Sequence, residues 1–400
     1  MKILVLNCGS SSIKYKLYEM DNETELASGL AERIGSEVAG FRYKNLAGAD
    51  KKETLPIHNH ADGIKIILQY LTDPVDGVIK NVSEITACGH RIVHGGEKFS
   101  SSVKITQEVI DEVKRCIPLA PLHNPPNLTG VLACQDIMKE TPQIAVFDTA
   151  YHQTIPNYAF MYALPSDLYK QDRVRRYGFH GTSHRFVALE CSKMLGKAIE
   201  TLKIITCHLG NGSSIAAINQ GKSIDTTMGF TPLEGIMMGT RSGTIDPAIV
   251  LFLMREKHLT MDQVDNLLNK QSGFLGVSNI SNDLRDITKA AKEGNELASL
   301  SLEICSYQLK KFIGSYIAAM NGVDAIVFTG GVGENTEEIR ESSMSHMEYF
   351  GIQLDHQKNL TDMKKSRIIS TDTSPVKIMV IFTNEEIMIA RDTLTILQQS

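Results

Sequence analysis

Short apolar segments that end abruptly in polar or glycine-rich turns are the feature that most constrains this fold. Residues 3–6 run into Asn7 and the turn GSSS, and residues 204–207 run into His208 and a second glycine turn. Similar runs lie at 144–147, 215–218, 325–328 and 377–382. Because these strand-like runs alternate with helix-like segments, the sequence predicts an α/β fold. Ligands of open α/β sheets bind at the carboxyl ends of strands, so the chemistry is expected at these endings.

The first strand and turn have a counterpart about half a chain later. Residues 3–14 read ILVLNCGSSSIK, and residues 204–215 read IITCHLGNGSSI. Both contain an apolar strand, a polar residue, a glycine-containing turn and a Ser-Ser step. A chain of 400 residues is long enough for two or three domains of roughly 100–200 residues. We therefore expect two similar domains, each supplying one turn.

Composition argues against several classes of protein. Hydrophobic residues make up 42% and charged residues 22%, which is typical of a folded globular chain. The net charge is -5 without a long basic run, which disfavours a nucleic-acid groove or a polybasic membrane patch. The sequence predicts neither a signal peptide nor a membrane span. Seven scattered cysteines without a C-x-x-C pair predict buried thiols in a reducing cytoplasm.

Two helices can be predicted from the pattern of apolar residues. One covers residues 299–320 and would end at Asn321-Gly322. The other begins near Thr336 and reads TEEIRESS, with two glutamates in its first turn, where they suit the helix dipole. The tail TNEEIMIARDTLTILQQS reads as a strand end followed by an amphipathic helix.

Three glycine-rich turns are candidates for binding phosphate. They cover residues 9–12, 210–214 and 330–335, and each directly follows an apolar strand. Glycine lets backbone N–H groups approach phosphate oxygens closely. Any one of them could be an ordinary tight turn, but three in this position favour a polyphosphate site. The third also leads into a helix, whose N-terminus favours an anion.

Two acidic residues follow strands in similar positions. Asp148 closes the strand at 144–147, and Glu385 follows the run at 377–382. An acid at the end of a strand is often a metal ligand or an acid/base, and the alternative is a helix cap or an Asx-turn. Two such acids together with phosphate-binding turns fit Mg²⁺, which binds few carboxylates and bridges phosphates.

Arginines and histidines lie in glycine-dense loops. GHRIVHGG holds Arg91, RRYGFHGTSH holds His180, and MMGTRSGTIDP holds Arg241. Guanidinium groups bind carboxylates and phosphates bidentately and stay charged. The alternative for each arginine is a solvated surface position. PLAPLHNPPN is predicted to be a stiff proline loop, and its His123 could line a pocket or be a plain loop histidine.

Together these motifs resemble the acetate kinase family, within the wider actin, sugar-kinase and Hsp70-like ATPase superfamily. The resemblance runs through nearly the whole chain. Its matching stretches are NCGSSSIK, GHRIVHGGE, PLHNPPN, VFDTAYHQTIP, RRYGFHGTSH, HLGNGSS, GFTPLEGIMMGTRSGTIDP, NDLRDI, FTGGVGENTEEIR and TNEE. It implies two actin-like (ribonuclease H-like) domains flanking an ATP-binding cleft, at 1–150 and 151–385. It also implies a C-terminal helix, 386–400, that packs back on the first domain.

The resemblance implies an activity as well. Family members transfer the γ-phosphoryl of ATP reversibly to the carboxylate of acetate, giving acetyl phosphate and ADP. The transfer depends on Mg²⁺, with Mn²⁺ as a substitute, and a cytoplasmic homodimer without nucleic-acid or membrane partners is expected. A propionate or other short-chain acyl kinase is the alternative within the family. Rivals from other classes are an actin- or Hsp70-like protein with an ATP cycle, and a hydrolase built on Asp148 and His180.

Residue by residue, the resemblance implies four groups of site residues. The catalytic residues are Asp148, Arg91, His180 and Arg241. The acetate site comprises Arg91, Val93, Leu122, His123, Phe179 and Pro232. The nucleotide site comprises Ser10, Ser12, Lys14, His208, Leu209, Gly210, Asn211, Gly212, Asp283, Leu284, Arg285, Gly331, Val332, Gly333, Glu334 and Asn335. The metal site comprises Asn7 and Glu385. Because a carboxylate nucleophile is already ionised at pH 7, we expect Asp148 to orient metal or substrate rather than accept a proton.

Overall fold

The structure is a computed structural model that describes residues 1–361 and 364–399. The chain divides into two compact units: unit 1 is Met1–Gln153 with Asn384–Ser400, and unit 2 is Thr154–Thr383. Each unit is built on its own mixed β-sheet. The domain bounds implied by the resemblance, 1–150 with 386–400 and 151–385, remain a prediction.

The secondary structure of the described residues alternates between strands and helices. The strands are β1 (Lys2–Gly9), β2 (Ser12–Glu19), β3 (Thr24–Glu32), β4 (Ser36–Asn45), β5 (Asp50–Ile57), β6 (Ile85–Ile92), β7 (Val103–Lys104), β8 (Gln143–Phe147), β9 (Lys203–Leu209), β10 (Ser213–Asn219), β11 (Lys222–Thr226), β12 (Ala325–Thr329), β13 (Arg367–Ile368) and β14 (Lys377–Val380). The helices are α1 (His60–Leu71), α2 (Gln107–Arg115), α3 (Asn124–Ile137), α4 (Asn157–Phe160), α5 (Ser166–Asp172), α6 (Gly181–Leu195), α7 (Pro247–Glu256), α8 (Met261–Lys270), α9 (Gly273–Ser278), α10 (Leu284–Lys292), α11 (Glu296–Met320), α12 (Gly330–Asn335), α13 (Glu337–Met344), α14 (His356–Leu360) and α15 (Glu385–Gln399). Short 3₁₀ helices lie at Val82–Glu84, Ile117–Leu119, Ala150–Thr154, Ile199–Thr201 and Glu348–Phe350.

The sheet of unit 1 has the strand order β5-β4-β3-β2-β1-β6-β8-β7. Strand β1 pairs antiparallel with β2, so that Asn7 lies opposite Lys14, and it pairs parallel with β6. Strand β6 in turn pairs parallel with β8. The carboxyl ends of β1, β6 and β8 therefore meet at one edge of the sheet, where the polar residues that follow them come together.

The sheet of unit 2 has the order β11-β10-β9-β12-β14-β13. Its central strand β9 pairs antiparallel with β10 and parallel with β12, which pairs parallel with β14. The segment β3-β2-β1-β6-β8 of unit 1 thus has the same order and directions as β11-β10-β9-β12-β14. The sequence echo marks the equivalent hairpins of the two sheets, β1–β2 and β9–β10.

Helix α15 packs on the sheet of unit 1, against β1, β6 and β8. Gly89 in β6 permits this packing, because a Cβ on Gly89 would lie 2.8 Å from the side chain of Ile389. On another face of the sheet, Leu4, Leu6 and Cys8 share a core with Ile64 and Ile67 of α1. The packing of α15 brings Glu385, at its first turn, to the edge where β1, β6 and β8 end.

The structure corrects three details of the sequence analysis. The third glycine-rich segment, expected to be a turn, is the short helix α12. The proline segment expected to be a loop contains the start of α3, because Pro125 and Pro126 occupy the first helical turn, where a missing N–H costs nothing. The last predicted strand, 377–382, ends at Val380. The helices predicted at 299–320 and near Thr336 are confirmed as α11 and α13.

All seven cysteines are buried free thiols, as predicted for their burial. Among the described residues, the longest apolar helices fall short of what crossing a membrane requires.

Candidate active site

The candidate site residues of unit 1 meet at the ends of β1, β6 and β8. The guanidinium of Arg91 donates from Nε and Nη2 to Oδ2 of Asp148, at 3.0 and 2.6 Å. It also donates from Nη1 to Oδ1 of Asn7, at 3.3 Å. Asp148 itself is fixed by its backbone N–H, which donates to the carbonyl of Ile92. The structure therefore brings together three residues that lie far apart in the sequence.

The carboxylate of Asp148 is buried, with 1% of the residue exposed. Its Oδ2 accepts both donors of Arg91, whereas its Oδ1 has no hydrogen-bond partner within the described part of the chain. A buried carboxylate oxygen without a partner is costly, so it marks a place where a ligand or ion is expected. The Asx-turn alternative for Asp148 does not account for the ion pair with Arg91.

Glu385 adds a second acidic group to this edge. Burial raises the pKa of Glu385 to about 7, opposed by Arg91 and reinforced by Asp148 and Glu386. Burial works to lower the pKa of Arg91, but Asp148 and Glu385 outweigh it and the net shift is upward. The edge thus concentrates two carboxylates around one permanently charged guanidinium.

Lys14 is held by a residue that the sequence analysis did not single out. Its ammonium forms an ion pair with Glu386, whose other oxygen lies 3.8 Å from Nζ of Lys16. Burial works to raise the pKa of Glu386, but Lys14 and Lys16 hold it below its ordinary value. The only sequence signal for this role was the second acid of TNEE. Ser10 is exposed and Ser12 half-buried in the β1–β2 turn, on the same hairpin as Lys14.

The chemistry of these donors fits a hard divalent cation. The described residues contain no cluster of three or more His, Cys, Asp or Glu side chains that could enclose a metal on its own. Mg²⁺ does not require one, because it usually keeps several waters and binds one or two carboxylates together with phosphates. The unpartnered Oδ1 of Asp148, the carboxylate of Glu385 and the amide oxygen of Asn7 are oxygen donors of the required kind.

Two buried asparagines support the candidate acetate site in unit 1. Asn127 accepts from the N–H of Val93 and donates to the carbonyl of Cys8, at 3.0 and 2.7 Å. Asn124 bonds both the N–H and the carbonyl of His94. The NPPN sequence therefore ties the start of α3 to the segment after β6 and to the end of β1. Sequence reasoning noted the prolines but missed this role of the asparagines.

The three acetate-site candidates of unit 1 other than Arg91 differ in their surroundings. Val93 is buried, whereas Leu122 is 69% exposed. His123 directly precedes α3. Phe179 and Pro232, also assigned to the acetate site, belong to unit 2, where Phe179 is buried and Pro232 half-buried.

In unit 2, His180 and Arg241 lie close to the glycine turn after β9. His180 has a left-handed backbone with φ 56° immediately before α6, and its Nδ1 lies 2.8 Å from Oγ of Ser214. Nη1 of Arg241 donates to the carbonyl of Pro232 at 3.3 Å, and burial lowers the pKa of Arg241. A Cβ on Gly212 would lie 3.4 Å from Nη1 of Arg241 and 3.5 Å from Nε2 of His180. These two side chains therefore flank the same point above the glycine turn.

His208, near the end of β9 just before that turn, is also fixed. The ring of His208 stacks on the ring of His180, with centroids 4.3 Å apart. Nδ1 of His208 bonds the hydroxyl of Ser183, which bonds the hydroxyl of Thr383. In the turn itself, the Ser213 hydroxyl accepts from the N–H of Gly210 and donates to its carbonyl. These bonds give residues 208–212 a defined conformation.

Helix α12 follows β12 directly and is held at both ends. Oε1 of Glu334 accepts from the N–H groups of Gly330 and Thr383, at 2.9 and 3.1 Å. The buried guanidinium of Arg340 donates to the carbonyl of Gly333 at 2.8 Å and to both oxygens of Asn359. Gly330 has φ +77° and approaches the backbone of Leu209, so a side chain there would be strained. Residues 331–335 are thereby fixed beside the end of β9.

Three further nucleotide-site candidates, Leu284, Arg285 and Asn335, line an open pocket of about 390 Å³ in unit 2. Leu284 and Arg285 from α10 face Asn335 and the start of α13 across it. Asp283 caps α10 and pairs with Arg285, which lowers the pKa of Asp283 to about 2. The start of α10 and Asn335, about 50 residues apart in the sequence, thus contribute to one pocket.

The sequence is similar to known acetate kinases over nearly its whole length. The sequence matches the acetokinase family over residues 2–391. It is 54% identical over 400 residues to an acetate kinase of Clostridium novyi, covering 100% of this chain and 99% of the relative. It is 56% identical over 395 residues to an acetate kinase of Thermoanaerobacter pseudethanolicus, covering 98% of each.

Solved structures of an acetate kinase and of a propionate kinase also match this chain over nearly its whole length. The crystal structure of Porphyromonas gingivalis acetate kinase matches with a TM-score of 0.95 at 49% identity, covering 99% of both chains. A propionate kinase from Francisella tularensis matches with a TM-score of 0.90 at 43% identity, covering 98% of both.

The fold and these matches define an α/β phosphotransferase with two actin-like domains, which confirms the predicted fold class. The chain belongs to the acetokinase family, whose enzymes use a carboxyl group as phosphoryl acceptor.

Proposed function

We propose that this enzyme transfers the γ-phosphoryl group of ATP to the carboxylate of acetate, reversibly, giving acetyl phosphate and ADP. The observation that carries the proposal is the guanidinium of Arg91, fixed at a strand end by Asp148 and Asn7. A guanidinium held in this way binds a carboxylate or a phosphate oxygen, and its charge does not depend on pH. Relatives named acetate kinase at 52–56% identity favour acetate as the acceptor.

The reaction does not need a general base. A free carboxylic acid has a pKa of about 4, so acetate is already ionised at pH 7. Kinases that phosphorylate hydroxyl groups use an aspartate to accept the proton of the hydroxyl, and this requirement is absent here. Asp148 accordingly orients Arg91 and the bound substrates rather than accepting a proton.

The main barrier is the repulsion between an anionic acceptor and an anionic phosphate. In unit 1, Arg91 binds the acetate carboxylate and offsets its charge. In unit 2, His180 and Arg241 stabilise the charge on the transferring phosphoryl group. Donors placed in advance toward developing charge are typically worth 10²–10³-fold in kcat each.

The nucleotide is bound by glycine turns, a helix terminus and basic side chains. Residues 208–212 and 331–335 offer backbone N–H groups to the phosphates, apart from those of Gly210 and of the preceding Gly330, which bond Ser213 and Glu334. The pocket lined by Leu284, Arg285 and Asn335 takes the adenosine end. Ser10, Ser12 and Lys14 bind phosphate oxygens from unit 1.

The proposed metal is Mg²⁺, with Mn²⁺ as a substitute. Asn7 and Glu385 would hold it, directly or through water, and Asp148 would supply a further oxygen. When bound, the metal neutralises phosphate charge and orients the γ-phosphoryl group. The carboxyl groups of Asp148 and Glu385, which interact with each other and with Arg91 at this edge, support the assignment.

The acceptor's methyl group is enclosed by Val93, Leu122, Phe179 and Pro232. All four side chains are apolar and fairly bulky, which suits a short acyl chain. One methylene is worth only about 1–3 kcal/mol of discrimination, so propionate is a poorer substrate rather than an excluded one. The structural match to a propionate kinase keeps that activity as the second candidate.

We also propose a cytoplasmic homodimer. Helix α7 supports the dimer, because it has no buried residue and exposes Ile249, Leu251, Phe252 and Met254 by 37–51%. Contiguous apolar exposure on one helix is typical of a subunit interface. The buried free thiols fit a reducing compartment.

A hydroxylamine trap for acyl phosphate tests the activity. ATP and Mg²⁺ with acetate should yield hydroxamate, and the same mixture without acetate should yield none. Propionate and butyrate in place of acetate should give lower kcat/KM. Turnover of ATP that is independent of any acyl acceptor would favour an actin- or Hsp70-like cycle instead.

Substitutions test the proposed roles of the arginines. Arg91→Ala and Arg241→Ala should each lower kcat/KM by at least about 10²-fold, which corresponds to about 2.7 kcal/mol. Arg42→Ala is a matched control for Arg91, because Arg42 also donates from two nitrogens to an aspartate of the same unit, Asp50, but both of these side chains are more than 40% exposed. Near-normal kinetics in either active-site variant would overturn its assignment.

A further inference from the structure

A continuous chain of hydrogen bonds leads from the core of unit 2 to His180. The hydroxyl of Thr206 lies 2.7 Å from Nδ1 of His184. Nε2 of His184 lies 2.8 Å from the hydroxyl of Ser214, which lies 2.8 Å from Nδ1 of His180. Thr206, His184 and Ser214 are 0% exposed. Water therefore does not compete for these bonds, and the position of each proton is set by its neighbour.

The direction of the chain follows from its buried end. In the described part of the structure, the hydroxyl of Thr206 has no hydrogen-bond partner besides His184. If His184 donated from Nδ1, the hydroxyl proton of Thr206 would lack an acceptor, at a cost of about 1–3 kcal/mol. Thr206 therefore donates to Nδ1 of His184. A neutral His184 then carries its proton on Nε2 and donates to Ser214.

The hydroxyl of Ser214 determines in the same way which ring nitrogen of His180 carries the proton. The Ser214 hydroxyl accepts from His184, and among the described residues its one other hydrogen-bond partner is His180. If His180 also donated to Ser214, the single hydroxyl proton of Ser214 would lack an acceptor. The proton of Ser214 is thus donated to Nδ1 of His180, which acts as an acceptor. A neutral His180 consequently carries its own proton on Nε2, the nitrogen beside Gly212 and Arg241.

We propose that Ser214 and His184 are positioning residues that hold His180 in the tautomer protonated on Nε2. The proposal rests on the proposed function, in which His180 stabilises the transferring phosphoryl group. The chain gives the transferring phosphoryl group a fixed N–H donor at Nε2 of His180, near the charged guanidinium of Arg241. In the other neutral tautomer, Nε2 would be an acceptor and would repel a phosphoryl oxygen.

Nitrogen NMR of the ¹⁵N-histidine-labelled full-length protein tests the tautomer directly, without substrates. At pH 8, Nδ1 of His180 should show the shift of an unprotonated nitrogen and Nε2 that of an N–H nitrogen. The signal is assigned by its loss in His180→Ala. Thr206→Val keeps the shape of the side chain but removes the hydroxyl at the buried end. It should move the nitrogen shift of His180 Nδ1 toward the value of a protonated nitrogen. An N–H signal on Nδ1 in the unsubstituted protein would overturn the proposal.

Kinetics test whether the chain acts through His180. Ser214→Ala should lower kcat roughly tenfold, with the KM values for ATP and acetate little changed. In the background of His180→Ala, the same substitution should cause no further loss, because the residue it positions is gone. Ser301→Ala is the matched control: Ser301 is also 0% exposed, but its hydroxyl donates only to the backbone carbonyl of Ala298.

The outcomes separate the two proposals. Additive losses from Ser214→Ala and His180→Ala would refute the positioning role. Normal kcat in His180→Ala would instead refute the role of His180 in the proposed function, while the NMR result would still decide the tautomer. Should Ser214→Ala fail to fold, the nitrogen shifts of the unsubstituted protein and of Thr206→Val decide.

Discussion

Acidification should destabilise unit 1 in part through His90, one of its buried histidines, which lies in β6. The residue is 2% exposed, and Nε2 of its ring lies 2.6 Å from Oε1 of Gln143. Gln143 uses its own amide N–H to donate to the carbonyl of Thr141, so its oxygen faces the ring as an acceptor. Burial lowers the pKa of His90 from 6.5 to about 4, because the charged ring would lose its hydration; the bond to Gln143 opposes this in part.

The sign and size of the effect follow from that shift. Between pH 6.5 and about 4, the unfolded chain binds a proton at His90 and the folded chain does not. The free energy of unfolding therefore falls as the pH falls through this window, and the residue has almost no effect above it. One pKa unit is worth about 1.4 kcal/mol, so the shift corresponds to about 3 kcal/mol in total. About 2 kcal/mol of that is lost between pH 7 and pH 4.5.

Urea unfolding followed by far-UV circular dichroism at pH 7 and pH 4.5 measures this loss. His90→Gln keeps an N–H donor for Gln143 but does not titrate. The unsubstituted protein should lose about 2 kcal/mol more on acidification than this variant, at unchanged m-value. His58→Gln, which replaces a histidine whose side chain is 62% exposed, is the control and should follow the unsubstituted protein. Equal losses for His90→Gln and the unsubstituted protein would refute the reasoning.

Two further predictions concern nucleotide binding and assembly. Arg340→Met removes the donor to the carbonyl of Gly333, so the KM for ATP should rise roughly tenfold while the KM for acetate stays unchanged; equal changes in both would argue for a general structural defect. Phe252→Glu adds a charge to the exposed apolar face of α7 and should shift the protein from dimer to monomer in light scattering, whereas an unchanged mass would exclude this face as the interface.

Periodicity and turn chemistry predicted the parts of the fold that depend on local sequence. The strands at 3–6, 144–147, 204–207 and 325–328 are correct because each is an apolar run with a polar or glycine stop. The long helix α11 was readable from its apolar spacing and its Asn-Gly end. The strands β3, β4 and β5 could not be predicted, because their outer faces are polar and half-exposed. Their alternation of apolar and polar residues is therefore weak.

Residues whose roles depend on distant partners could not be predicted from local sequence. Glu386 reads as one of two acids at a helix start, and only the packing of α15 brings it to Lys14. Segment 330–335 reads as a turn, because three of its six residues are glycine. It forms a helix since Glu334 bonds the N–H groups of Gly330 and Thr383 and Arg340 bonds the carbonyl of Gly333. Tertiary hydrogen bonds outweighed local propensity in this segment.

The roles of Arg91 and Asp148 depend on which of their atoms are already hydrogen-bonded, and the sequence does not show this. Three of the five N–H groups of Arg91 donate within unit 1, two to Oδ2 of Asp148 and one to Asn7. The two that remain suit one carboxylate of the substrate, and the bonds that are made fix the plane of the guanidinium. Without Asp148, the guanidinium of Arg91 could rotate. Without Arg91, the buried carboxylate of Asp148 would lack its counter-charge, which costs about 3–5 kcal/mol of stability. An aspartate whose Oδ2 is committed to an arginine and whose Oδ1 has no hydrogen-bond partner among the described residues is suited to orienting ligands. Because acetate is already ionised at pH 7, Asp148 does not also have to accept a proton.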